Sequence, residues 1–429
     1  MHQTLPFATP DFPGIGGVIK RRAEDFFVQE VPLYEPTGEG EHVMCEIQKL
    51  GISTPQAVAR IARTFNLDRG DIGTAGLKDA HALTRQHMTV RCVTEEQLMT
   101  TPIEDVQVLW AARHKNKLKP GHSAGNRFAV KVRDVNAGDV VKLRPVVDRL
   151  VAGGVPNYFG PQRFGNRGDN HLVGLALVRG DEQAALKHLL GNPIDTLDQP
   201  DEHEARAAFD AGDLARAAEL FPERARTETK LLGILLRGGT PRKAIKALGQ
   251  GTIRFLVAAG QSGIFNELIA RRVTALSTLL DGDVAMKPNG GCFIVQDLAA
   301  EQPRADAFEI SPTGCLFGTK LLRPERAALE LEEAVLASHG ITQMRFEKGY
   351  DQPPGERRPL RVKASDASLA AGVDELGDYI TLAFTLPPGA FATSFVRELT
   401  KNDAVAERER RPAGDQSADD TPDDASEPA

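Results

Sequence analysis

The chain has 429 residues, 41% of them hydrophobic and 26% charged, with a net charge of −7. At roughly 100–200 residues per domain this length predicts two domains with real cores, which excludes a disordered or fibrous chain. The charge by itself speaks against a nucleic-acid partner, and no apolar run approaches the roughly 18 residues of a membrane span.

The N-terminus, Met1-His2-Gln3-Thr4-Leu5-Pro6, lacks a basic segment followed by an apolar one, so no secretory signal is expected. Cys45, Cys92, Cys292 and Cys315 form neither a CxxC pair nor a Cys/His cluster with zinc spacing. Reduced thiols in a cytoplasmic protein without metal are therefore expected. The charge is also unevenly placed. Pro412 to Ala429 holds six acids and no Lys or Arg, and elsewhere bases and acids nearly balance. Such a tail, rich in Asp, Ser, Pro and Ala, is expected to be disordered, and the folded part can still carry basic patches.

Residues 18 to 48 read as short strands; in His42 to Gln48, Val43, Cys45 and Ile47 alternate with longer or polar residues. Thr54-Pro55 predicts a helix start with Thr54 as N-cap, and Val58, Ile61, Ala62 and Phe65 share its apolar face. The segment around Asp79 reads as a loop leading into a strand from His87 to Val93. Ala111 to Gly121 reads as a basic loop. In Arg127 to Arg133, Phe128, Val130 and Val132 face one way and Arg127, Lys131 and Arg133 the other. That pattern suits a half-buried strand with a solvated face, or a basic face meeting phosphate.

From about Gly180 to Leu280 helical spacing dominates, with Ser262 placed to cap a helix through Ile264, Phe265, Leu268 and Ile269. Gly290 to Val295 reads as a turn and strand, Pro324 to Ser338 as a helix, and Asp351 to Arg358 as a linker. Tyr379 to Leu386 returns to strict alternation. Strands, then helices, then a strand predict an α+β protein with a mixed, largely helical module inserted.

Between Asp71 and Glu95 the only carboxylate is Asp79, set among Lys78, Arg85 and Arg91 with His81 and His87 nearby. Cations favour its charged form and lower its pKa. An ordinary surface ion pair and an ionised nucleophile both fit this spacing. Val155 to Gly168 interleaves Tyr158, Phe159 and Phe164 with Arg163 and Arg167. Aromatic planes beside guanidinium groups suit unstacked bases, and equally a rigid turn with its aromatics in a core. Gly125-Asn126-Arg127 offers an amide able to read a base edge, and Phe391 sits on a Gly turn before a helix start. No GxxxxGK[ST] loop, GxSxG elbow or HExxH pair is present.

Jointly, Glu24-Asp25-Phe26, Ala75-Gly76-Leu77-Lys78-Asp79 with Thr84-Arg85-Gln86, Ala112-Arg113-His114-Lys115, Val155 to Gly165 and Gly389 to Ser394 carry a likeness. From about residue 15 to 402 the chain resembles the TruD family of tRNA pseudouridine synthases. Ala80 stands where many members carry a second Lys, and the stretch from about Asp181 to Ser262 departs more from the family pattern. The resemblance implies a pseudouridine-synthase-type α+β catalytic domain with a mixed, largely antiparallel sheet flanked by helices, and an inserted α+β TRUD domain. Residues 1–156 and 362–403 would form the catalytic domain, 157–361 the insertion and 404–429 the acidic tail.

The implied activity is isomerisation of uridine to pseudouridine at position 13 of tRNA, without cofactor or metal. By position, Asp79 is similar to the family's nucleophile. Phe26, Asn126 and Phe391 are similar to residues that bind the target base, and Lys20 to a basic residue near the Asp. Lys78, Arg85, Asn157, Phe159 and Arg163 complete the expected substrate-binding set. A monomer acting on tRNA, away from membranes, is expected. The alternative is a non-catalytic RNA-binding or RNA-chaperone protein using the same basic and aromatic segments.

Overall fold

The computed structural model describes residues 5–402, and the acidic tail lies outside the described residues. Two compact units emerge. Among the described residues, one comprises Phe7–Val155 together with residues 362–402, and the other Pro156–Arg361 together with residues 5–6.

The first unit is built on an eight-stranded sheet of β1 (Phe26–Pro32), β2 (His42–Leu50), β3 (Ile72–Thr74), β4 (Leu83–Arg91), β5 (Val106–His114), β6 (Ser123–Arg133), β7 (Ser365–Asp374) and β8 (Gly377–Leu386). The order across the sheet is β7-β8-β6-β1-β4-β2-β5, with β3 also on β4. Only the β1–β4 pair is parallel. The fold class is therefore the expected one: α+β, with a mixed, largely antiparallel sheet flanked by helices.

Register assigns the faces. Val28 lies beside Thr84 and Phe128, and Phe128 beside Phe384. Across β2 and β4, Val43, Cys45, Ile47 and Lys49 oppose Val90, Met88, Gln86 and Thr84. Side chains alternate along a strand, so these residues share one face. Two apolar clusters cover it. The first joins Phe26, Val28, Phe128 and Phe384 to Leu143, Val146 and Leu150 of the helix Val140–Gly153 and to Phe395 and Leu399 of the helix Ala392–Thr400. The second joins Val43, Cys45, Ile47, Met88 and Val90 to Ala57, Ile61 and Ala62 of the helix Thr54–Phe65. Between them the same face turns polar: Glu30, Lys49, Thr84 and Gln86 are each at most 1% exposed. Burying such groups is costly unless each finds a partner.

The helix Thr54–Phe65 starts one residue earlier than its sequence suggests. Ser53 is the N-cap, in a reciprocal capping box with Gln56. Thr54 is thereby free for another task. In the second unit the helix around Ser262 begins at Gln250 and runs to Arg272. Ser262 is interior there, with its hydroxyl donating to the Ala258 carbonyl. That helix packs on Asn170–Arg179, where Gly174 is required: a Cβ would lie 1.9 Å from the Leu256 oxygen. The stretch read as a linker contains a strand, Glu356–Pro359, paired with Ser311–Leu316. No helix of the described residues is long and apolar enough to cross a membrane.

Candidate active site

Residues 75–82 leave β3 and return to the start of β4, and Asp79 sits on this loop. β2 lines one edge of β4 along its whole length. The other edge is shared: β1 pairs with Leu83–Arg85 and β3 with Met88–Val90. The ladder is thus interrupted at 86 and 87. Glu30 fills the gap, its carboxylate accepting from the His87 amide at 3.2 Å. Its other oxygen meets Lys78 Nζ at 2.6 Å. Burial pushes the Glu30 pKa up, but His87 and the Lys78 ammonium outweigh it and hold the group below its ordinary value.

The polar seam clamps the loop from below. Gln86 donates to the Gly76 carbonyl at 2.5 Å and accepts from the Thr54 hydroxyl at 3.0 Å. That hydroxyl accepts from the Lys78 amide at 2.9 Å. Lys49 Nζ donates to the Ile52 carbonyl at 2.6 Å and to the Asp79 carbonyl at 3.2 Å. Lys49, Thr54 and Gln86 and the loop backbone therefore satisfy each other, whereas the Thr84 hydroxyl finds no hydrogen-bond partner among the described residues.

Above the clamp, Lys20 Nζ donates to Asp79 Oδ2, and the His81 amide donates to Oδ1 at 3.0 Å. Lys20 Nζ also lies 4.4 Å from the centroid of the Phe26 ring. Burial raises the Asp79 pKa, but the hydrogen bond and charge of Lys20, then the His81 amide, hold it below the usual carboxylate value. Asp79 is ionised at neutral pH, and its side chain remains 32% exposed. An anchored, ionised and accessible carboxylate can act as a nucleophile.

The other expected residues divide. Asn126 lies beside Glu30 in register, and its Oδ1 is buried with no hydrogen-bond partner among the described residues. Gly125 beside it admits no side chain, since a Cβ would come within 2.5 Å of the Leu386 oxygen. Phe391 follows β8, whose Leu386 pairs with Asn126, and is 41% exposed as the N-cap of Ala392–Thr400. Arg85 points to the opposite sheet face, where it bonds Gln48 at 3.0 Å and lies 5.5 Å from the Phe27 ring.

Arg127 is on that face too, in a cleft of about 440 Å³ with Gln29, His87 and Trp110. The basic face expected on β6 is partly consumed. Arg133 is 1% exposed and paired with Asp25 and Asp374, and Lys131 lies over Tyr379.

Asn157, Phe159 and Arg163 belong to the second unit and are engaged in its interior. Asn157 donates to the Pro359 carbonyl and accepts from Arg358, both at 2.8 Å. The Phe159 amide donates to Asn266, and Arg163 donates to Ser262 at 3.1 Å.

Glu30, Lys49 and Thr54 are site residues that the motifs did not indicate. A signal existed for two of them. Lys49 continues the inward phase of Val43, Cys45 and Ile47, and Glu30 that of Phe26 and Val28. A charged residue in phase with a buried face implies a buried partner. The partners lie 30 and 48 positions away in the chain, beyond the reach of local spacing.

Comparison with known proteins bears on the whole chain. The family model described as tRNA pseudouridine synthase D (TruD) matches residues 5–399. A relative from Syntrophotalea carbinolica named tRNA pseudouridine synthase D is 41% identical over 399 residues, covering 92% of this chain and 99% of its own. One of the same name from Geotalea daltonii is 40% identical over 400 residues, with 92% and 100% covered. A crystal structure of a putative tRNA pseudouridine synthase D from Methanosarcina mazei superposes with a TM-score of 0.82 at 26% identity, covering 92% of this chain and 96% of that one. A match of this extent in family, sequence and fold places the chain in the TruD family of tRNA pseudouridine synthases.

Proposed function

We propose that the chain isomerises uridine to pseudouridine at position 13 of tRNA, with Asp79 as the nucleophile. The observation that carries this reading is the state of Asp79: ionised, held by Lys20 and the His81 amide, and still open to an incoming group. A uridine within a stack is out of reach of such a side chain, so the target must be turned out of its stack. Asp79 then bonds to an electrophilic carbon of the flipped nucleotide, either C6 of uracil or C1′ of ribose. The N1–C1′ bond breaks, the uracil turns, C5 bonds to C1′, the bond to Asp79 breaks to release the carboxylate, and loss of the C5 proton is balanced by a proton taken up at N1. No atom is gained or lost, which suits a site with one nucleophilic carboxylate.

The other expected residues have roles in the same scheme. Lys20 keeps Asp79 charged, and Phe26 walls the site beneath the Lys20 ammonium. Asn126 offers an amide oxygen to a uracil N–H, and Phe391 an exposed ring to a base face.

Incubation with an unmodified tRNA transcript, followed by mapping of pseudouridine, tests activity and position together. The wild type forms pseudouridine at position 13. Asp79→Asn lowers the rate on the order of 10⁴-fold or more while tRNA affinity changes little. Full turnover by Asp79→Asn removes the nucleophile assignment. Retention of tRNA with uridine left intact by the wild type supports the non-catalytic binder instead.

A further inference from the structure

Lys49 is the buried charge that the scheme above leaves without a role. It is 1% exposed, at the end of β2, in a position whose neighbours in phase are apolar. An ammonium in such a place costs several kcal/mol unless it is paired, and an apolar side chain of similar length would avoid that cost. Its hydrogen bonds are specific. Nζ reaches the Ile52 carbonyl in the turn before the helix Thr54–Phe65 and the main-chain carbonyl of Asp79 itself. No other side chain among the described residues is hydrogen-bonded to that carbonyl.

We propose that Lys49 is a positioning residue for Asp79, fixing the backbone of the nucleophile from within the sheet face while Lys20 fixes its carboxylate from above. The proposal rests on Asp79 being the nucleophile. Lys49 does not serve as the base for the C5 proton, because its nitrogen is enclosed and donates to two carbonyls. Its action is geometric and electrostatic. The loop's own attachments, Gln86 to Gly76 and Thr54 to Lys78, hold residues before Asp79; Lys49 holds the residue itself.

The charged groups facing Lys49 are Asp79, which favours the ammonium, and Lys78, which opposes it. Burial is the largest influence and brings the Lys49 pKa down to about 8. The ammonium is therefore lost as pH rises through that value, and with it one support of Asp79. Turnover in the wild type should fall on the alkaline side in step with this titration. An arginine at the same place stays charged.

The test measures kcat and KM on unmodified tRNA transcript for the wild type, Lys49→Met and Lys49→Arg, from about pH 6 to pH 9.5, a range that spans the Lys49 titration. Rates are taken per active molecule, titrated by tRNA binding. Lys49→Met is expected to lower kcat about 10–100-fold with KM within about twofold. Lys49→Arg is expected to keep more activity than Lys49→Met and to lose the alkaline decline. A merely structural lysine would change the folded fraction alone. Lys49→Met with wild-type kcat, or an alkaline limb unaltered in Lys49→Arg, overturns the proposal. Should Lys49→Met fail to fold, the pH profile of Lys49→Arg decides. Asp79→Asn run in parallel separates the two failures: if it is inactive while the Lys49 variants behave as wild type, the nucleophile stands and the role of Lys49 falls.

Discussion

Two carboxylate–cation pairs in the same unit show what distinguishes a structural ion pair from a working one. Asp25 receives Arg133 through two parallel hydrogen bonds, at 2.7 and 2.6 Å, and both side chains are 1% exposed. Arg133 also engages Asp374. Asp79 is held differently. One oxygen takes a single ammonium and the other a backbone amide, and a third of the side chain is open. The forked guanidinium saturates its partner, whereas the lysine leaves room around the second carboxylate. Both aspartates are partners of a cation, and only geometry separates their roles.

The largest expected effect breaks this contrast from the structural side. Arg133→Met strands Asp25 in the interior and should cost about 3–5 kcal/mol of stability. The rate per folded molecule on tRNA transcript should stay near the wild-type value. Urea denaturation and single-turnover kinetics together read both quantities. A stable Arg133→Met with a large loss of rate would place the Arg133 pair in the catalytic machinery and erase the distinction.

This contrast also marks how far sequence alone reaches. Strong alternation in His42 to Gln48, Arg127 to Arg133 and Tyr379 to Leu386 predicts β2, β6 and β8, because each buries one side-chain row against helices. β7 escapes detection. Its Ser365-Asp366-Ala367-Ser368 start has little β-branched or aromatic content, and much of the strand is exposed. Asp79 stands out in sequence because its neighbours in the chain are cationic. Yet the residues that hold its loop (Lys20, Lys49, Thr54 and Gln86) come from four separate stretches. Arg85 and Lys78 look equivalent in sequence and differ in space. Residue parity on β4 sends Arg85 to the far face, while Lys78 turns inward to Glu30. Asn157 and Arg163 belong to the most recognisable string, and their polar atoms are engaged in fastening their own unit.

The contrast is sharpened next through pH. The Asp79 pKa is lowered in the folded protein, so its contribution to stability is present above the ordinary carboxylate value and is lost as pH falls through the folded one. Lys20→Met removes the main opposing charge, and burial then raises the Asp79 pKa. The acid limb of the pH–rate profile should move to higher pH, with the alkaline side little changed. Lys20 already adopts a left-handed backbone, with φ 59°, and Met meets the same backbone cost. The shift therefore reports charge rather than strain. An acid limb that stays in place would mean that Lys20 does not set the ionisation of Asp79.

The smallest effects come from two asparagines, one from each unit. Asn157 is 4% exposed, and both ends of its amide are bonded inside its own unit. Asn157→Ala withdraws a donor from the Pro359 carbonyl and an acceptor from Arg358, which should cost about 1–3 kcal/mol. The kinetics of the folded fraction should be unaltered. Asn126 presents a buried oxygen that no described residue satisfies. Asn126→Ala gives up no such bond at that oxygen, so stability should move within about 0.5 kcal/mol. A base that uses the oxygen loses a hydrogen bond, and kcat/KM should fall about tenfold. Thermal denaturation and steady-state kinetics on tRNA transcript measure the pair. The reverse pattern, with Asn126→Ala unstable and fully active and Asn157→Ala stable and slow, would exchange their roles and move substrate recognition into the second unit.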